Sequence, residues 1–255
     1  MTAGRFARTI TWVSVFILYL PIVVLIISSF NESRFGGEWT GFSLKWYQKL
    51  FDEEALWQAV RNSLLVACTT TVVSTILGTT AALALTRYQT TLQRFHWGLL
   101  YSPLIVPDLL MGVSLLVLFA LVHIKLGLLT VFLAHTTFCI SYVAMIIQGR
   151  LRLFDKSIIE AGYDLGASSW DIFWRIKLPI LLPAILGGAL LAFTLSIDDF
   201  VISFFVVGPG AATLPIYVYS MIKFGAPPLV NALSTLLLVV TFTLAWVGQR
   251  FLKEV

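Results

Sequence analysis

The chain has 255 residues, of which 58% are apolar and only 12% charged, with a mean hydropathy of +0.91. A soluble domain carries about 45–50% apolar and about 25% charged residues, so this composition excludes one and puts the chain in a bilayer. The net charge of +4 and pI of 9.1 follow from basic loops on one membrane face and are not read as a nucleic-acid footprint.

A hydrocarbon core about 30 Å thick needs about 20 apolar residues per helical span. Six stretches qualify: 10–30, 63–86, 97–121, 128–148, 181–207 and 231–249. They lack the period-2 alternation of barrel strands, so the expected fold is all-α, a six-helix membrane protein forming a single domain over 1–255. Of the 17 Lys and Arg, eleven fall in the connections of one face and six in those of the other. The positive-inside rule then puts both termini and the 149–180 loop in the cytoplasm.

Arg5 and Arg8 precede the first run in the manner of a signal peptide. That run exceeds the about 7–15 residues of an h-region and lacks a small-residue cleavage pattern, so an uncleaved span is expected. Segment 31–62 holds Trp39, Trp46, Tyr47, Trp57 and the acidic run Asp52-Glu53-Glu54, and is expected to lie along the membrane surface. Trp39 and Trp57 read as interfacial anchors. Trp46 has two readings: an anchor, or an indole face holding an alkylammonium by a cation–π attraction of about 0.5–2 kcal/mol. Cys68 and Cys139 fall inside spans and read as free packing cysteines.

In the third span Pro103 and Pro107 interrupt the backbone ladder just before Asp108, leaving carbonyls that are tolerable only against a cavity or against protein. In the fourth, His135-Thr136-Thr137 reads as a polar cluster satisfied within the bundle.

The loop 149–180 is polar between two long apolar runs. A short helix is expected over Phe154–Tyr163, with Gly166 as its left-handed C-cap. Ser168 with Asp171 three residues on has capping-box spacing and starts a second helix, which Leu178-Pro179 is expected to end before Pro183 opens the fifth span. The product is a helix–turn–helix with a small-residue elbow at Ala161, Gly162, Gly166 and Ala167, shaped to enter a groove.

The fifth span carries Asp198 and Asp199. With Asp108, these are three carboxylates at membrane depth and no Lys or Arg in any span. Each costs about 2.5–3.5 kcal/mol on insertion scales, too much for lipid-facing accidents, so they are expected to line an interior path or a subunit seam. The alternative is interhelical hydrogen bonding. Adjacent helical residues lie about 100° apart, so Asp198 shares a face with Thr194, and Asp199 with Ser196 and Ser203. One aspartate should face the path and the other order it or meet a second subunit, with Ser196 orienting Asp199. A path with negative and no positive charges selects cations, and dispersed carboxylates suit an elongated polycation better than a compact metal ion.

No G-x-x-x-x-G-K-[ST] phosphate loop, H-E-x-x-H zinc signature or G-x-S-x-G nucleophile elbow occurs, so no enzyme and no cofactor of the chain's own is expected. Energy must come from a partner.

Glu160-Ala161-Gly162, three residues, Gly166, nine residues and Ile176-Lys177-Leu178-Pro179 resembles the "EAA" loop of ABC-importer permeases. The resemblance implies a type I importer permease whose coupling helix, carried by Glu160, Ala161, Gly162, Gly166, Ile176, Leu178 and Pro179, seats in a cytoplasmic ATPase. Gly162 stands where the family often has Ala, a departure expected to loosen the first helix by about 1 kcal/mol. Phe193-Thr194-Leu195-Ser196-Ile197-Asp198-Asp199, Gly208-Pro209, Ser29-Phe30-Asn31 and Lys45-Trp46-Tyr47 together resemble spermidine/putrescine permeases of the PotC type. That implies polyamine import by a bacterial inner-membrane complex of this subunit, a second PotB-like permease, an ATPase homodimer holding ATP and Mg, and a periplasmic polyamine-binding protein. The substrate-pathway residues implied here are Asp108, Asp198, Asp199, Ser196 and Trp46.

Three alternatives remain. An ABC permease for iron, thiamine or an anion fits the loop, and the acid pairs speak against the anion. A cation-coupled secondary transporter should show inverted repeats. An intramembrane aspartyl protease should carry Gly-x-Gly-Asp, which is missing around the three aspartates.

Overall fold

A computed structural model describes residues 2–33, 38–87, 90–155, 157–225 and 227–252. The chain is helical: α1 Thr2–Ser29, α2 Lys45–Asp52, α3 Glu54–Arg87, α4 Thr91–Ile105, α5 Asp108–Leu121, α6 Leu128–Arg152, α7 Ser157–Asp164, α8 Ser169–Asp171, a π-helical turn Ile172–Lys177, α9 Leu178–Asp198, α10 Val201–Val206, α11 Leu214–Lys223 and α12 Pro227–Leu252. Its residues group into two compact units, 58–216 and a discontinuous one of 1–57 with 217–255.

Among the described residues, four helical stretches are long and apolar enough to cross a membrane: Phe6–Ser29, Glu54–Thr86, Leu128–Arg152 and Ser169–Asp198. The span expected over 97–121, with its ladder interrupted by prolines, is a broken pair, α4 and α5, bent by 112°. Counted as one, the pair makes five. The sixth expected span falls on α12, whose apolar part Pro228–Thr243 is shorter among the described residues. The break has a local cause: Pro107 (φ −57°, ψ 139°) cannot donate a ladder bond and holds the chain extended just before α5. The span expected over 181–207 is likewise interrupted after Asp198, at Asp199 (φ −66°, ψ 122°).

In the unit 58–216, α6 is the central post, with Val131, Ala134, Phe138, Cys139, Val143, Ala144 and Ile147 buried. Small residues let its neighbours approach: a Cβ on Gly78 of α3 would stand 2.8 Å from the Val143 side chain, and one on Gly188 of α9 3.4 Å from it. The short α10 is held between α5 and α6. A Cβ on Gly112 would meet the Phe205 ring at 2.7 Å, and the Thr130 hydroxyl donates to the Val206 carbonyl at 2.7 Å. Gly208 is closer still, a Cβ there falling 1.9 Å from the Leu126 carbonyl oxygen. Only glycine fits.

In the other unit, the residues after α1 are tied to α2. The hydroxyls of Ser29 and Tyr47 lie 2.6 Å apart, Trp46 donates its indole N–H to the Asn31 carbonyl at 2.8 Å, and Asn31 forms an isolated antiparallel bridge with Phe42. The Asn31 amide also donates to the Glu38 carbonyl and accepts from the Thr40 N–H. Ser29-Phe30-Asn31 and Lys45-Trp46-Tyr47, distant in sequence, are therefore two halves of one joint.

Candidate functional site

Both helix breaks fall at the predicted aspartates. Asp108 is the first residue of α5, Asp198 the last of α9, and Asp199 the linker to α10. All three line one cavity of about 300 Å³ with Pro103, Phe138, Tyr142, Thr194 and Phe200 among its walls, and no Lys or Arg among the lining residues. Interrupted helices are the usual way to bring polar backbone to membrane depth where it faces a cavity.

The carboxylates are not equivalent. Asp198 and Asp108 are exposed to the cavity and have no ion-pair partner among the described residues. Asp199 is bound by the protein: Oδ2 accepts from the Ser203 N–H at 2.7 Å and lies 3.1 Å from His135 Nε2, while Oδ1 accepts from the Ile202 N–H at 3.3 Å. It thereby caps α10, which explains why the fifth span breaks here: the side chain supplies the acceptors that the next helix needs for its first N–H groups. Ser196 was expected to orient Asp199 directly. Its hydroxyl instead lies 2.8 Å from His135 Nδ1, so it reaches Asp199 only through the imidazole.

His135 is buried at 1% exposure and satisfied within the bundle, as its polar neighbours suggested. Its attachment to Asp199 and, at 2.9 Å, to the Ser203 hydroxyl is absent from the sequence-based expectation. The available signal was a histidine inside span four in a chain whose fifth span carries an acid pair. Aromatic walls were missed too: Phe138 and Tyr142, one turn apart on α6, and Phe200 in the α9–α10 linker.

Trp46 belongs to the other unit and is absent from the cavity lining. Its N–H is committed to the Asn31 carbonyl, and the Lys45 ammonium sits 5.0 Å from its ring centroid.

The 149–180 loop forms the helix–turn–helix its spacing predicts, with two corrections. The first helix starts at Ser157, whose N–H is capped by the Asp155 carboxylate at 2.9 Å, and ends at Asp164. These Ser157 hydrogen bonds hold the exposed Asp155 carboxyl below the usual carboxylate range. Gly166 has φ +80° and donates its N–H to the Tyr163 carbonyl, closing the predicted left-handed cap. The Ser168 hydroxyl accepts from the Asp171 N–H at 3.2 Å, starting α8. Pro179, however, does not end that helix. The π turn Ile172–Lys177 leads directly into α9, with the Leu178 N–H bonded to the Phe173 carbonyl five residues back. The widened turn accommodates the proline ring and its missing donor, and Pro183 accordingly lies inside α9 instead of opening it.

Gly162 is buried, where a Cβ would stand 3.2 Å from Ile176 and 3.5 Å from Ile172. Its missing side chain lets α7 pack on the π turn. Ile158, Tyr163, Leu165, Trp170 and Trp174 are left exposed. Beside the loop a second cavity, of about 740 Å³, is lined by Arg152 and Lys177 with Phe154, Tyr163 and Phe173. Its charge is the wrong sign for a cation.

The model of a family described as "Binding-protein-dependent transport system inner membrane component" matches residues 1–253. The chain belongs to this family. It is thus an inner-membrane component of a bacterial ABC transport system. Among its relatives, the spermidine/putrescine transport system permease protein PotC of Escherichia coli is 43% identical over 237 residues, covering 93% of this chain and 90% of the relative. The putrescine transport system permease protein PotI of the same organism is 46% identical over 232 residues, covering 87% and 81%. A bacterial ABC transporter involved in alginate import superposes with a TM-score of 0.75 at 13% identity over 97% of this chain and 95% of that one. The MetNI methionine ABC transporter gives 0.64 at 18% identity over 84% and 99%. The expected type I ABC-importer permease fold is therefore the fold of this chain.

Proposed function

We propose that the chain is the permease subunit of an ATP-driven importer that carries polyamines, spermidine or putrescine, from periplasm to cytoplasm. The observation that carries this reading is the convergence of Asp108, Asp198 and Asp199 on one cavity without a cationic side chain in its lining. At about 4 Å and an effective dielectric near 20, each ammonium–carboxylate contact is worth about 4 kcal/mol, enough to offset much of the desolvation of an alkylammonium. The aromatic walls suit the methylene stems between ammonium groups and add cation–π attraction. PotC and PotI, named for these substrates, are the relatives reported above.

The chain functions as one transmembrane permease domain with both termini and the 149–180 loop in the cytoplasm. Its elbow, carried by Glu160, Ala161, Gly162, Gly166, Ile176, Leu178 and Pro179, docks on a cytoplasmic ATPase homodimer that holds the ATP and Mg. The apolar side chains left exposed on the loop support a protein partner there. A second, PotB-like permease completes the path, and a periplasmic polyamine-binding protein delivers the substrate.

The test is uptake by the reconstituted complex in proteoliposomes loaded with ATP. Putrescine and spermidine should enter and compete with each other, while thiamine and ferric iron should neither enter nor compete. Uptake without ATP driven by an ion gradient would favour a secondary carrier, and thiamine or iron uptake a different ABC cargo.

A further inference from the structure

The cavity has three carboxylates but only two that the protein leaves open. Asp199 is already surrounded by the Ile202 and Ser203 N–H groups and by His135 Nε2. His135 in turn is the one side chain that bridges α6 to both sides of the helix break, to Ser196 on α9 and to Asp199 and Ser203 beyond it, among the described residues. A single tautomer satisfies the set: Nε2–H donates toward Asp199 and Ser203, and Nδ1 accepts the Ser196 hydroxyl proton. The ring cannot turn away without leaving buried polar atoms unpaired, which is costly.

We infer that His135 is a positioning residue for the cation cavity: it fixes the Asp199 carboxylate in the wall as a protein-held anion, leaving Asp108 and Asp198 as the two carboxylates that directly ligate the ammonium groups of the cargo. The inference rests on the cation reading of the cavity given above. It divides the work among the three acids. Asp199 supplies field and holds the break; Asp108 and Asp198 exchange partners with a passing cation, and a pathway that must also release its cargo needs contacts of that weaker, open kind.

The experiment reads the charge of the cavity directly and so does not depend on which molecule is carried. Thr194, exposed on the cavity wall, is replaced by cysteine in a Cys68→Ser background of the assembled transporter; Cys139 is fully buried and stays. Modification rates by a cationic and an anionic methanethiosulfonate give a ratio that reports local potential. His135→Leu should lower the cation-to-anion ratio severalfold, because the Asp199 carboxylate keeps its charge but loses the partner that fixes it in the cavity wall. Asp199→Asn, which removes the charge itself, should lower it at least as far, and the double variant no further than Asp199→Asn alone. His135→Gln, whose amide reaches toward Asp199, should restore the ratio, whereas His135→Asn, too short to do so, should not. Should His135→Leu fail to assemble, the Gln and Asn pair carries the comparison alone. A ratio unmoved by His135→Leu and His135→Asn, a Gln variant as impaired as Asn, or losses that add to those of Asp199→Asn would each overturn the inference. Uptake is measured alongside: His135→Asn should raise the KM for spermidine and His135→Gln should restore it. A wild-type complex that moves neither polyamine would defeat the cargo reading while the labelling ratio still decides the role of His135.

Discussion

His135 Nε2 lies 3.1 Å from Asp199 Oδ2, and this contact joins the buried face of α6 to the gap between α9 and α10. The partners are a buried imidazole and a carboxylate that also caps a helix. Removing the carboxylate disturbs the backbone as well as the charge of the cavity, because an Asp cap is worth about 0.5–2 kcal/mol.

The three aspartates should therefore respond differently to neutralisation. On the proposed cation path, Asp108→Asn and Asp198→Asn should cut polyamine uptake more than about tenfold, the loss expected for a direct partner of a desolvated ammonium, with thermal stability unchanged. Asp199→Asn should cut uptake and also lower the melting temperature of the purified complex. Ser196→Ala, acting through His135, should have a smaller effect, of about one hydrogen bond or 0.5–1.5 kcal/mol. Wild-type uptake by all three Asn variants would mean that the carboxylates are interhelical glue.

Gly166 sits at φ +80°, and a Cβ placed on it would meet nothing within 4 Å, so its constraint is conformational and not spatial. Gly166→Asn, which tolerates the left-handed region, should retain most ATP-driven uptake. Gly166→Glu should abolish stimulated ATP hydrolysis while membrane insertion, followed by immunoblot of the membrane fraction, stays normal. Equal activity of the two variants would remove the elbow from the coupling argument.

The membrane class, the acid triad and the capped elbow were legible because each depends on local chemistry: apolar length, expensive intramembrane charge, and the φ demand of Gly166. The breaks were half legible. Pro107 announced one, but nothing in the linear pattern near Asp199 revealed that its side chain would take over the N–H groups of Ile202 and Ser203. Pro179 misled for the opposite reason, since a π turn set by the packing of Ile172 and Ile176 on Gly162 absorbs a proline that would stop an ordinary helix. His135 was hidden because its role depends on residues 61 to 68 positions away, a separation that periodicity does not carry.

Trp46→Phe keeps an aromatic face and removes the N–H donated to the Asn31 carbonyl. If the indole serves the joint between α1 and α2, the variant should lose about 1 kcal/mol of stability with the KM for polyamine unchanged. A rise in KM at unchanged stability would instead assign the ring to the cargo.

Asp155 holds α7 from outside the membrane, and its carboxyl titrates below the ordinary carboxylate range because it accepts from Ser157. A depressed native value means the cap contributes fully above the unfolded carboxyl's range and is lost as pH falls through the native value. Hydrogen exchange in 157–164 should accelerate only under such acid conditions in the wild type, and already at neutral pH in Asp155→Ala. A wild-type profile from Asp155→Ala would show the cap to be idle.

Sidedness rests on the distribution of Lys and Arg, and it decides whether the elbow can meet a cytoplasmic ATPase at all. In a Cys68→Ser background, cysteines at the exposed positions Gln48 and Lys125 should react with an impermeant maleimide added to intact spheroplasts, whereas cysteines at Ser157 and Leu165 should react only after the membrane is opened. The charge bias of eleven to six is strong for loops this short, and long-range alternatives are few because every connection between the apolar helices is below the about 60-residue length at which the rule weakens. Leu165 is 88% exposed on this chain, so a cysteine there reports sidedness most sharply when the opened membranes are also stripped of the docked ATPase. Protection of position 125 together with labelling of 157 and 165 in intact cells would invert the topology, place the elbow on the periplasmic face, and separate this chain from any ATPase on the other side.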